Sequence, residues 1–301
     1  MCGIVGLFLK DDALKPQLGE MLSAMLITMT DRGPDSAGIA IYGDESKGMT
    51  KLTIQSEQPD VDFPALEKHL NDHANLNSKT LNIIAKDTHA VMSVADAEGD
   101  MILGIIKNQF PTIRIMSQGQ SIEIYKEVGL PKDVVSRFAL AQAGGSHGIG
   151  HTRMATESAV TTLGAHPFST GQDQCLVHNG SLSNHNMMRR NLRAEGIDIQ
   201  TENDSEVAAA YLTARMSDGE TLGEALTSGL NDLDGFFTFV VGTKTGFGVL
   251  RDPIACKPAV MAETDAYVAF GSEYRALVNL PAIEAARVWE PEPAEVYFWS
   301  H

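Results

Sequence analysis

Three cysteines in 301 residues are too few for a disulfide framework, so an ordinary core must hold this chain and its thiols belong in a reducing compartment. Basic residues are also scarce: 23 Lys and Arg stand against 39 Asp and Glu, a formal net charge of −16. That balance argues against nucleic acid or an anionic membrane as a partner and leaves docking to another protein open. No apolar run reaches the length of a membrane span, Cys2 leaves no room for a signal peptide before it, and repeats and low-complexity stretches are lacking. Together these absences point to a cytoplasmic protein. Aromatic residues amount to 6% and apolar residues to 43%, enough for a substantial core.

What is present begins at the amino terminus. Met1-Cys2-Gly3-Ile4-Val5-Gly6 puts a cysteine where loss of the initiator methionine would expose it, and a small second residue permits that loss. The freed residue would carry a thiol of pKa about 8.5 and an α-amine of about 8 that can take the thiol proton through a water. Nucleophile and base then sit on one residue, with no distant histidine needed. The same residues also read as a plain strand from Ile4 with an incidental cysteine.

Four further islands stand in the order that an amide-hydrolysing site requires. They are Asp31-Arg32-Gly33-Pro34-Asp35-Ser36-Ala37-Gly38, Gly150-His151-Thr152-Arg153-Met154-Ala155-Thr156, His178-Asn179-Gly180-Ser181-Leu182-Ser183-Asn184 and Asn203-Asp204-Ser205-Glu206. Each is weak alone, but five in fixed order with cysteine at position 2 are specific. On these residues the chain resembles, nearly end to end, the class II glutamine amidotransferases, a branch of the N-terminal-nucleophile hydrolases. The resemblance implies an α+β fold, the four-layer αββα sandwich, over residues 1–301.

Glutamine presents a carboxylate, an ammonium and a neutral amide, so its site needs a fixed cation, a fixed anion and donors for the amide oxygen. Arg153 suits the carboxylate, because a guanidinium makes two parallel hydrogen bonds that a lysine cannot copy. The resemblance gives Arg153 that role, Asp204 the substrate ammonium, and Thr156 a hydroxyl near the carboxylate. Asn203-Asp204-Ser205-Glu206 before the apolar run from Val207 also reads as a helix start. Attack by the Cys2 thiolate would make a tetrahedral oxyanion, for which the Asn179 side-chain amide and the Gly180 N–H resemble the family's oxyanion hole. Asn179-Gly180 reads equally as a hairpin turn after a buried strand, Cys175 to His178. His151, His166 and His178 fit core or loop-anchoring positions, since their spacing matches no metal motif.

Periodicity predicts strands at Ile4 to Phe8, Gly38 to Tyr42, Ile149 to Thr152, Cys175 to His178, Phe236 to Gly242, Phe247 to Arg251, Tyr267 to Phe270 and Glu295 to Trp299. Helices are predicted at Leu18 to Met29, Asn184 to Ala194, Ser205 to Met216 and Glu220 to Leu230. Gly144 to Gly150 is glycine-rich but precedes a strand, which excludes a dinucleotide loop.

Departures from the family pattern accompany the agreement. Met154 stands where an aromatic residue usually follows the arginine, and Glu157 replaces a small residue or histidine. Residues 39–147 form a long insertion, expected as a subdomain with strands at Leu81 to Ile84, Ala90 to Val94, Met101 to Ile106 and Thr112 to Met116 and helices at Phe63 to Leu70 and Lys132 to Ala141. It fits either a lid or a docking face. With His301 close after the last predicted strand, no acceptor-site domain is expected in this chain, so the resemblance implies a separate synthase subunit. The insertion and Ala165-His166-Pro167-Phe168 look like the amidotransferase-type subunit of N-methylglutamate synthase, the methylamine–glutamate N-methyltransferase. That family carries FMN on another subunit, so no cofactor and no metal is expected here. Two alternatives stay open: a non-catalytic structural or regulatory subunit of the same complex, or the ammonia-supplying subunit of a split glutamate synthase.

Overall fold

The computed structural model describes residues 2–72, 76, 81–155 and 159–301. Its strands are β1 (Gly3–Leu9), β2 (Ser36–Tyr42), β3 (Met49–Gln55), β4 (Asn82–Lys86), β5 (His89–Ala95), β6 (Arg114–Gly119), β7 (Ile122–Val128), β8 (His147–Arg153), β9 (Phe168–Gly171), β10 (Gln174–Leu182), β11 (Gly235–Gly242), β12 (Gly246–Arg251), β13 (Val260–Glu263), β14 (Tyr267–Gly271), β15 (Arg287–Trp289) and β16 (Val296–Ser300). Its α-helices are α1 (Leu18–Thr28), α2 (Pro59–Asp72), α3 (Asp96–Gln109), α4 (Pro131–Arg137), α5 (His185–Ala194), α6 (Asp204–Ser217) and α7 (Leu222–Asp232).

Every residue of β1 is buried, and its side chains alternate between two cores. Val5, Leu7 and Leu9 join one, while Ile4 and Phe8 join the other, as a pleated strand requires. A strand apolar on both faces needs a layer on each side. Accordingly β1 lies inside a seven-stranded antiparallel sheet of order β15-β13-β14-β1-β8-β2-β7. Beside it lies a five-stranded sheet of order β16-β12-β11-β10-β9.

Between the sheets, Ile4, Phe8, Tyr42 and Ile149 meet Val177, Val240, Phe247 and Val249. Gly6 faces this layer, and a Cβ there would lie 2.8 Å from the Phe247 ring, so the glycine makes room for that ring. On the outer face of the larger sheet, α1 and α4 pack Leu18, Leu22, Met25, Leu26, Val134 and Phe138 against Leu7 and Ile39. The methionine-rich stripe of α1 is thus core packing. The smaller sheet is covered by α6 and α7, where Val207, Tyr211 and Leu226 meet Leu176, Phe239 and Leu250. These are the four layers of the expected αββα sandwich. Among the described residues no helix is long and apolar enough to cross a membrane.

A third, four-stranded sheet of order β4-β5-β3-β6 packs α2 and α3 on one face through Leu52, Ile54, Phe63, Leu66, Met92 and Ile106. It spans Met49 to Gly119, less than the expected 39–147, because β2, β7 and α4 belong to the main sandwich. Met101 to Ile106, expected as a strand, lies in α3. Its isoleucines suggested a strand, but Ile102, Ile105 and Ile106 recur at helical spacing and Asp96 and Glu98 suit the first helical turn. The helix expected from Lys132 to Ala141 ends at Arg137.

Asp173, buried at the turn between β9 and β10, fastens the two parts together. Its carboxylate accepts hydrogen bonds from Gln120 N (2.7 Å), Ser121 N (2.9 Å), Ser121 Oγ (3.0 Å) and Ile122 N (3.0 Å), at the turn leading into β7. Asp173→Ala leaves these donors without their acceptor, so chemical denaturation should register a loss of about 2–4 kcal/mol. A loss below about 0.5 kcal/mol would mean that water replaces the carboxylate without cost.

Buried histidines add a pH dependence. His147 stacks on Tyr42 with ring centroids 4.1 Å apart and its Nε2–H donates to Thr243 O at 2.8 Å. Burial pushes His89, His147 and His151 down to about 3. Their unfolded counterparts take up protons near pH 6.5, so this stability is present above about 6.5 and is lost as the pH falls toward 3. His147→Gln should flatten the fall in unfolding free energy between pH 6 and 4 by up to about 1.4 kcal/mol per pH unit. An unchanged slope would show that His147 protonates in the folded state.

Candidate active site

The register of β1 brings the amino-terminal cysteine to the end of β8. Gly3 pairs with Thr152, so Cys2 lies beside Arg153 and Met154. The Met154 N–H donates to Cys2 Sγ at 3.5 Å, and Met154 O lies 3.8 Å from the same sulfur. It is the backbone of Met154 that meets the Cys2 sulfur, and its non-aromatic side chain is 37% exposed. Gly3 permits the approach: a Cβ on it would stand 2.8 Å from both Met29 Cβ and Thr152 Oγ1.

The carbonyl of Cys2 is held from two sides. Arg32 Nε donates to it at 2.9 Å and Asn179 Nδ2 at 3.2 Å. Arg32 is braced by Glu273, whose Oε1 lies 2.5 Å from Nη1, and Arg275 Nε meets the other oxygen of Glu273 at 2.7 Å. The Arg32 guanidinium accordingly holds the Glu273 carboxyl below its usual range. Ser272 completes the bracket: its Oγ accepts from Ile4 N at 2.9 Å and from Asn179 Nδ2 at 3.3 Å. Arg32 lies in the Asp31–Gly38 island, but its contact with Cys2 was not expected from sequence. Ser272 and Glu273 carry no motif at all, and only the pairing of β14 with β1 reveals them.

Asn179 and Gly180 lie inside β10 rather than in a turn after it, paired with Thr238 and Phe237 of β11. The alternative reading of Asn179-Gly180 as a hairpin turn therefore does not hold. Gly180 has φ 150°, and a Cβ there would collide with Phe236 O, so no other residue fits without strain. His151 Nε2–H donates to Asn179 Oδ1 at 3.3 Å, which turns the Nδ2 group toward Cys2. His151 stacks on His166 at 4.0 Å, and both are buried and pushed down by that burial. Both are neutral interior groups, and His151 orients Asn179.

Asp204 opens α6, whose cap is Asn203, and its Oδ2 accepts from Leu182 N at 2.9 Å at the end of β10. The carboxylate thus stays at the same strand end as Asn179 and Gly180. His178 reinforces the junction, with Nδ1 2.9 Å from Ser205 Oγ and 3.7 Å from Asp204 Oδ1. Burial lowers the His178 pKa while the Asp204 charge pulls it upward. Arg153 is buried to 8% exposure, and its Nη1 donates to Ala159 O at 3.3 Å. Asp35 fixes the backbone just after it by accepting from Ala155 N at 2.8 Å.

Cys2, Arg153 and Asn179 therefore come together, with Gly180 and Asp204 joined to them through β10. Met1, Thr156 and Glu157 lie outside the described residues. Among the described residues no cluster of histidine, cysteine, aspartate and glutamate could hold a metal ion.

Comparison with known proteins places the chain in a family. The family profile described as "Glutamine amidotransferase domain" matches residues 151–279, from His151 through the strands that carry Asn179 and Ser272. The "Glutamine amidotransferase-like protein GlxB" of Rhizobium meliloti is 69% identical over 301 residues, covering 100% of this chain and 99% of that protein. A Methanothermobacter thermautotrophicus protein is 32% identical over 319 aligned positions, covering 98% of each chain. Among solved structures, the glutamine phosphoribosylpyrophosphate amidotransferase of B. subtilis superposes with a TM-score of 0.62 at 19% identity, over 99% of this chain and 47% of that one. That likeness bears on the fold alone. With its full-length relatedness to the R. meliloti protein, the chain belongs to the glutamine amidotransferase family.

Proposed function

We propose that this chain, once Met1 is removed, hydrolyses glutamine to glutamate and ammonia with Cys2 as nucleophile. The observation that carries the reading is the fixed Cys2, its carbonyl held by Arg32 and Asn179 and its sulfur beside the Met154 N–H. In this reading the Arg153 guanidinium takes the substrate carboxylate and Asp204 the ammonium, with Thr156 assisting. The terminal amine accepts the thiol proton, and the thiolate attacks the side-chain amide carbon. Negative charge develops on the amide oxygen, for which Asn179 Nδ2 and the Gly180 N–H would supply the donors. Asn179 Nδ2 reaches it by giving up its longer bond, to Ser272 Oγ at 3.3 Å, while His151 keeps Oδ1 in place. The amine returns the proton to the departing nitrogen and ammonia leaves. Water, deprotonated by the same amine, then cleaves the γ-glutamyl thioester to give glutamate and restore the thiol.

Arg153→Lys should raise the KM for glutamine more than it lowers kcat, because the lost clamp acts equally in ground and transition states. Asn179→Ala should lower kcat by roughly 10²-fold or more. Steady-state kinetics separate the two, and the opposite pattern would mean that the roles are exchanged. Activity that survives Cys2→Ala would reject the nucleophile.

The physiological acceptor follows from the sequence resemblance. We infer that the ammonia passes to a separate FMN-bearing, glutamate-synthase-like subunit, as in N-methylglutamate synthase, and that the four-stranded sheet inserted between β2 and β7 meets that partner or covers the site. The long insertion and the Ala165-His166-Pro167-Phe168 segment support this reading. Upon co-expression the chain should co-migrate with such a subunit in size-exclusion chromatography and be poorly active alone. A stable monomer with full glutaminase activity and no affinity for the subunit would contradict it.

A further inference from the structure

Lys126 of β7 is buried to 3% exposure, a costly place for an ammonium. Its Nζ donates to three backbone carbonyls, Leu163 O (3.3 Å), Ala165 O (2.8 Å) and Pro167 O (3.2 Å), and stands 4.6 Å from the centroid of the Phe168 ring. Three donors meet three acceptors, a match that no neutral side chain of similar length provides. Were Lys126 only filling space, a methionine would do so without the desolvation cost.

The carbonyls it grips belong to the irregular segment that follows Arg153. A Cβ built on Gly164 would stand 3.6 Å from Arg153 Nη1, so the guanidinium packs at the residue flanked by two of the three acceptors. The same nitrogen bonds Ala159 O earlier in the segment. β2 provides the passage: Gly38 pairs with Lys126, and any side chain there would collide with His166 O as the segment crosses. Glu127, adjacent to Lys126, accepts from Thr162 Oγ1 and adds a second tether.

We propose that Lys126 is a positioning residue for glutamine: its ammonium fixes the 163–167 backbone, and that backbone aims Arg153 at the substrate carboxylate. Lys126 acts through the segment and touches no reacting atom. The proposal rests on the reading of Arg153 as the carboxylate clamp.

The test uses the full-length chain with a processed amino terminus as wild type, Lys126→Met and Gly38→Ala. Glutamine hydrolysis is measured together with hydrogen exchange of peptides covering residues 159–168. Lys126→Met should raise KM by roughly tenfold or more while kcat stays within about threefold, with faster exchange in 159–168 and unchanged exchange in β1 and β10. Gly38→Ala keeps the ammonium but puts a Cβ against both His166 O and Lys126 Cβ, displacing the segment and the lysine that holds it, so it should reproduce the KM rise. Unchanged KM and exchange in Lys126→Met, or a fall in kcat at constant KM, overturns the proposal. If Lys126→Met does not fold, Gly38→Ala decides: a raised KM supports the proposal, and unchanged KM and exchange reject it. An inactive wild type would reject the glutaminase reading instead. The exchange data alone would then judge whether Lys126 holds the segment, faster exchange supporting it and unaltered exchange overturning it.

Discussion

β1 lies between β8 and β14, with Gly3 opposite Thr152 and Val5 opposite both Gly150 and Gly271, and the rest of the site depends on that register. A slip of one residue would turn Ile4 and Phe8 out of the layer between the sheets and send Val5 and Leu7 into it, so the two cores specify the alignment strongly. The alignment sets Cys2 at the end of β8, next to the arginine proposed to hold substrate. It also lets one carbonyl, that of Cys2, gather Arg32 from the 3₁₀ turn after α1 and Asn179 from the facing sheet. Cys2, the proposed nucleophile, is held at both its carbonyl and its sulfur. In the proposed reaction these contacts would hold in place a residue near a chain end, where chains are usually mobile.

The fold was legible where periodicity and burial coincide. β1, α1, α6, β11, β12, β14 and β16 follow their apolar spacing, whereas the short β13 and β15 were not expected. β3 and β7 were not expected because Lys51, Lys126 and Glu127 interrupt their apolar runs, yet all three pack in or beside the sheets through specific hydrogen bonds. α3 was mistaken for a strand because β-branched residues outweighed helical spacing in a short window. Of the residues expected at the site, Arg153 and Asn179 lie beside Cys2, because their islands end β8 and β10, and Asp204 opens α6 and is tied to the end of β10. Ser272 and Glu273 had no such mark: their part in the site arises from sheet pairing across more than 260 residues.

Burial also separates the three thiols. Cys175 is enclosed between the sheets with Tyr42 Oη 3.4 Å from its sulfur, and burial raises it to about 12, so it stays protonated and inert. Cys256 is exposed, outside the bracket formed by Arg32, Asn179 and Ser272. Cys2 is partly accessible and fixed. Polar groups around it serve orientation: buried His151 aims Asn179, and the half-buried Asp35 and Asp204 tie the backbone after Arg153 and the end of β10.

The central claim is that Cys2 is the amino terminus and the nucleophile. Intact-mass analysis of the purified chain, before and after treatment with a glutamine-mimicking diazoketone, tests it most directly. The account predicts a mass lower by one methionine before treatment, then a single adduct that maps to Cys2, with Cys175 and Cys256 unmodified. Retained Met1 together with robust glutamine turnover, or an adduct on Cys175 or Cys256 in place of Cys2, would contradict it.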